Sequence, residues 1–186
     1  MLISARQAAD ILRWGGFNVD RSRLLLRSGV AGGVPTSSGT MYDEDRVREL
    51  AVRRFVRPAE IATACPGGIL VGRLARTKSL DLTADAATQL AAVHGPWRVP
   101  LLWGILLDHC AKSGTPMPFV ATVCGYVLVG AEVTGFERGT GDRATLHLRE
   151  AGPWFASLRE RRWLAGRGGP ALLLWGWPPD ISQRGA

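Results

Sequence analysis

Arg21, Arg23 and Arg27 fall within one seven-residue stretch and could neutralise phosphates or reach base edges from a single helix. Ser22 lies among them and adds a small hydroxyl. Thr36, Ser37, Ser38 and Tyr42 follow in a glycine-rich stretch and form a second polar set, able to lie along a phosphate backbone. Elsewhere the residues with chemistry are scattered. His94, His109 and His147 could act with Asp108 or Glu132, but no phosphate loop, Gly-x-Ser-x-Gly or His-Glu-x-x-His spacing joins them. His109 and Cys110 are neighbours on an expected helix and point in different directions. No catalytic residue, metal ligand or cofactor is therefore assigned. Cys65, Cys110 and Cys124 are odd in number and widely spaced, which fits free thiols better than a disulfide or zinc framework.

The arginines and hydroxyls need elements to hold them. Ser4 followed by Gln7 matches a capping box, and Ala8, Ile11 and Leu12 repeat at helical spacing behind it. Gly15-Gly16 ends this first helix. Asp20 is the expected cap of a second, in which Leu24, Leu25 and Leu26 form an apolar patch while Arg23 and Arg27 share a face. Gly29 stands where a helix needs a left-handed terminator. Residues 32–39, with Pro35 and three small hydroxyl residues, read as a short ribbon. Asp43 caps a third helix carrying Val47, Leu50 and Ala51.

The segments Ala8-Ala9-x-Ile11-Leu12, Arg23-Leu24-Leu25-Leu26-Arg27-Ser28-Gly29-Val30 and Tyr42-Asp43-Glu44-Asp45-Arg46-Val47-x-x-Leu50 resemble the MerR-like and excisionase-like winged helix–turn–helix domains. The resemblance spans roughly residues 2–54. It implies double-stranded DNA as partner, with Arg21, Ser22, Arg23 and Arg27 on the recognition helix and Thr36, Ser37, Ser38 and Tyr42 on the wing. Two features depart from the family. The turn between the first two helices, Leu12 to Asp20, is longer than the usual tight one. Thr40-Met41 stands where the family carries an arginine before its tyrosine.

Charge agrees with that location. The formal net charge is +7 with pI near 10.3, which suits a polyanionic partner. Residues 1–57 hold ten Lys/Arg against six Asp/Glu, and residues 58–186 thirteen against ten. The excess is denser in the first segment. A composition with two lysines, Lys78 and Lys112, against twenty-one arginines is also what a GC-rich genome produces without selection for binding.

Beyond Pro58 the expected elements are helices near 58–63, 84–93 and 101–108, a strand near 68–74, an apolar β run over 119–134 and an alternating strand over 144–149. Gly139-Thr140-Gly141-Asp142 is a hairpin signal between the last two. A basic amphipathic helix is expected over 153–164 and a last strand over 171–175. Six tryptophans in this part are expected in the core, in a ligand pocket or at a dimer face.

The expected fold class is α+β: a winged helix–turn–helix over 1–57, an α+β domain with a mainly antiparallel sheet over 58–180, and a frayed tail over 181–186. The longest apolar run, Val99 to Leu107, contains a proline and falls short of the ~20 residues of a membrane span, and a cytoplasmic location is expected. The leading expectation is a DNA-binding transcriptional regulator or recombination accessory factor. Its second domain would support a homodimer or a small-molecule or protein effector. An enzyme with a docking module, using Asp108, His109, Glu132 and His147, and a protein–protein adaptor are the alternatives.

Overall fold

The computed structural model describes residues 1–74, 80–163 and 171–176. Its class is α+β, with six α-helices and two sheets among the described residues. The chain divides into two compact units. The first holds Met1–Arg54 and also residues 80–83, so this short segment leaves the domain that surrounds it in sequence.

In the first unit β1 (Leu2–Ser4) leads into α1 (Ala5–Trp14), α2 (Val19–Arg27), β2 (Val34–Thr36), β3 (Gly39–Asp43) and α3 (Glu44–Val52). The capping box forms as expected: the Gln7 amide donates to Ser4 Oγ at 3.3 Å and the Ser4 amide to Gln7 Oε1 at 3.0 Å. The second helix starts earlier than expected. Asn18, not Asp20, is its cap and accepts from the Arg21 amide at 2.9 Å. Both types cap well, and the extended backbone at position 18 decides between them. Gly29 takes φ +81° just past the helix, as a left-handed terminator. Asp43 caps α3 through the Asp45 amide.

Strands β2 and β3 form a hairpin with Ser37-Ser38 at its tip. The short β1 adds to the other edge of β3, with Ile3 opposite Tyr42. Ala8, Leu12, Leu25, Leu26, Val47 and Leu50 make the core beneath.

The second unit is built on a six-stranded sheet in the order β5-β8-β7-β6-β4-β9. Its strands are β4 (Ile69–Arg73), β5 (Trp97–Arg98), β6 (Met117–Val123), β7 (Tyr126–Arg138), β8 (Arg143–Glu150) and β9 (Leu172–Trp175), with helices α4 (Pro58–Ala64), α5 (Ala86–Val93) and α6 (Leu101–Lys112). The β4–β6 pair is parallel and the other pairings are antiparallel. One face packs Ile69, Val71, Val120 and Val127 against Val56, Ile61, Leu158 and Trp163. Phe119, next to Val120 in β6, faces the other side and meets Trp97 at 6.0 Å between ring centres.

Two expectations are corrected here. The apolar run 119–134 is two strands, because Cys124 (φ +52°) and Gly125 (φ +88°) make a two-residue hairpin turn. Gly130, by contrast, is a point of close approach, where the Phe155 ring lies on its backbone. The segment 153–164 is not a long helix among its described residues. A 3-10 turn, Pro153–Ser157, is followed by irregular chain. The reason is long-range: β8 pairs only with the outer part of β7, so the start of β7 takes its partners from this segment. The Glu160 amide donates to Val127 O, the Val127 amide to Arg161 O and the Trp163 amide to Gly125 O. The expected tail over 181–186 lies outside the described residues.

Arg161 fastens this segment to α4, donating to Glu60 at 2.9 and 3.1 Å and to Phe55 O at 3.1 Å. The Arg161 hydrogen bond holds the Glu60 carboxyl below its ordinary range, helped by the Arg57 amide. A carboxylate with a depressed folded-state pKa stabilises above the unfolded value and loses that contribution as pH falls through the folded one. We therefore expect Glu60→Gln to lower the thermal midpoint near neutral pH and to converge with wild type in acid. Parallel midpoint curves across that range would contradict the assignment.

Candidate nucleic-acid interface

The hairpin of the first unit and its two leading helices enclose a groove of about 740 Å³. Helix α1 contributes Ala5, Arg6, Ala9, Asp10 and Arg13, α2 contributes Val19, Arg23, Leu26 and Arg27, and β3 contributes Thr40 and Tyr42. Helical spacing explains the assembly. Arg6, Ala9 and Arg13 succeed one another at three and four residues, and Val19, Arg23 and Arg27 at four, so each helix turns one stripe inward. The lining carries four arginines and one acid. That acid, Asp10, accepts from Arg13 at 3.3 Å, with both side chains about half exposed.

The expected site residues divide. Arg23 and Arg27 line the groove, and Arg21 is exposed on α2 but outside the lining. Thr36, Ser37 and Ser38 are exposed at the hairpin tip, where Thr36 Oγ1 donates to Gly39 O at 2.5 Å. Tyr42 reaches the groove only by an edge, being 5% exposed. Burial pushes its phenol up, with the nearby Arg27 charge pulling the other way, so the hydroxyl stays protonated as a donor.

Ser22 is corrected. It is fully buried, and its hydroxyl donates to Asn18 O at 3.0 Å. Position 22 falls on the same side of α2 as Leu25 and Leu26, the side that packs on the core.

Arg6, Arg13 and Thr40 are groove residues that sequence reasoning missed. The signal was present in the spacing of Arg6 and Arg13 around the small Ala9.

In the second unit the candidate catalytic residues occupy separate structural positions. Asp108 and His109 lie on the exposed face of α6. Glu132 on β7 accepts from Arg149 at 2.8 Å and from Trp154 Nε1 at 3.3 Å. His147 is exposed on β8 opposite Gly135, and His94 bonds the Ala91 carbonyl through Nδ1. Burial pushes the Cys65 thiol up to about 11, which leaves it a core thiol. Among the described residues no group of three His, Cys, Asp or Glu could hold a metal ion. Trp97 packs with Phe119, Trp154 with Phe155, and Trp163 edge-on with Trp175.

In comparisons with known proteins, no family model, curated protein or solved structure matches the chain. Among the described residues, no helix is long and apolar enough to cross a membrane.

Proposed function

We propose that the chain is a double-stranded DNA-binding protein whose first unit is a winged helix–turn–helix module. In this reading it is a transcriptional regulator or recombination accessory factor, working in the cytoplasm. Helix α2 enters the major groove, with Arg23 and Arg27 towards the duplex and Arg21 at the outer rim. The β2–β3 hairpin is the wing, and Thr36, Ser37 and Ser38 approach the backbone with uncharged hydroxyls. Arg6 and Arg13 on α1 supply the cations that the wing lacks.

The observation that carries the reading is the groove itself. Two helices converge four arginines on one concavity, and the single acid there is engaged by Arg13. A polyanion is the partner such a lining favours. The order helix, turn, helix, hairpin, helix supports a winged module over a generic basic surface. The second unit has the role of pairing two copies or holding an effector.

The test is binding of random and selection-enriched duplexes by the intact protein across a salt series. Affinity that falls steeply with salt, together with an enriched motif, supports the proposal. Absence of duplex binding at low salt overturns it.

A further inference from the structure

Position 14 of α1 lies two residues beyond the buried Leu12, about 200° round the helix from the core, and Trp14 there is 93% exposed. The packing of the unit makes no use of its indole. At Arg13 and Val19 the arginine groove adjoins a second depression, of about 500 Å³, whose lining is completed by Trp14, Phe17 and Asn18. Asn18 Oδ1 accepts from the Arg21 amide as the cap of α2, which leaves Nδ2 as the donor end of the side chain. That donor makes no hydrogen bond among the described residues.

We propose that this depression holds a nucleobase outside the double helix, stacked on Trp14, where an unpaired nucleotide adjoins the duplex bound in the arginine groove. The inference rests on the DNA reading above and narrows it to duplex DNA with a local unpaired strand. Three groups of different chemistry meet in the depression. The indole offers a flat apolar face to a base, Asn18 Nδ2 a donor to the base edge, and the Arg13 guanidinium a cation to the phosphate. A paired base keeps both faces covered by its neighbours, so the base that covers Trp14 is one that has left the stack.

Charge selects the side of approach. Trp14 also borders a cleft with Ile3 and Ile11, but there Asp10 and Glu44 outnumber Arg48, which disfavours a polyanion. Stacking accepts every base, since each has a π-face. The site therefore recognises an unpaired nucleotide rather than a sequence.

The test uses the full chain and three probes built on one duplex no longer than a single footprint. One is blunt, one is extended at both ends by short single-stranded thymidine runs, and one is extended by abasic runs of equal length. The two extended probes carry the same phosphates and differ only in their unpaired bases. Wild type should bind the thymidine probe at least about fivefold more tightly than the abasic one, the lower end of what base–aromatic stacking supplies. Trp14→Leu should erase that difference while binding the blunt duplex as wild type does. Trp14→Phe, which keeps a ring, should retain most of it. Trp14 is so exposed that neither change disturbs the core. Blunt-duplex binding with equal affinity for the two extended probes would overturn this proposal and leave the duplex reading standing. A preference that Trp14→Leu keeps, or that Trp14→Phe loses, would do the same. If no probe binds at low salt, both readings fall.

Discussion

Replacing Arg6, Arg13, Arg23 and Arg27 together by alanine is expected to abolish most duplex binding and to flatten what remains against salt. Each arginine that neutralises a phosphate adds close to one unit to the slope of log affinity against log salt. The quadruple variant should therefore lose roughly three to four units of slope, and affinity near physiological salt should drop by at least about a hundredfold. The fold should survive. Arg6, Arg23 and Arg27 are exposed, and the Arg13–Asp10 pair is an exposed ion pair of the kind that contributes little. Circular dichroism identical to wild type, with slope and affinity also unchanged, would remove the groove as the binding surface.

Charge also separates the helices from the β2–β3 hairpin. Ser37 and Ser38 carry no charge, so changing both to alanine should leave the slope where it was. Introducing a cation there, as Ser38→Arg, should instead steepen it by about one unit. A wing that rests on the backbone has this response; a hairpin facing away from DNA has none.

What could be read beforehand was local. The Ser4/Gln7 box, the Gly29 terminator and the Asp43 cap all lie within one helical turn of the elements they bound, and each forms. What could not be read depended on distant chain. Strand β1 is three residues long and exists because β3, some forty residues away, offers an edge. The 153–164 stretch has helical periodicity, but the open start of β7 claims its backbone groups. The expected Asp20 cap and the long Leu12–Asp20 turn both fail because α1 runs on to Trp14 and α2 starts at Val19, which leaves only residues 15–18 between the helices and puts Asn18 at the cap. In the site, Arg23 and Arg27 were legible because they share a face four residues apart. Ser22 was misplaced although its spacing to Leu25 and Leu26 marks it as inward. Arg6 and Arg13 needed the second helix in place before their stripe could be seen as one wall of a groove.

Gly15→Ala is expected to be the most damaging single change in the first unit, although it touches no arginine. A Cβ at position 15 would lie 2.4 Å from the Ala51 carbonyl oxygen and 2.9 Å from its Cα, where α1 ends against α3. Both are backbone atoms, so no side chain can swing aside, and α1 and α3 must separate. Overpacking of this kind costs about 3 kcal/mol, which in a unit of this size lowers the midpoint by roughly 10–20 °C. Gly16 is the control. Its φ of +88° penalises alanine, yet a Cβ there meets nothing within 4 Å, so Gly16→Ala should cost only about 1–2 kcal/mol. Gly130→Ala makes the matching test in the second unit, where the new Cβ would sit 2.3 Å from Phe155 ring carbons. Peptide-resolved hydrogen exchange reads the two apart. Gly15→Ala should raise exchange in α1 and α3 and weaken duplex binding, while Gly130→Ala should raise it in β6 and β7. If Gly15→Ala leaves α1 and α3 as protected as wild type, the close approach of those helices is wrong, and with it the scaffold that brings Arg6 and Arg13 to the groove.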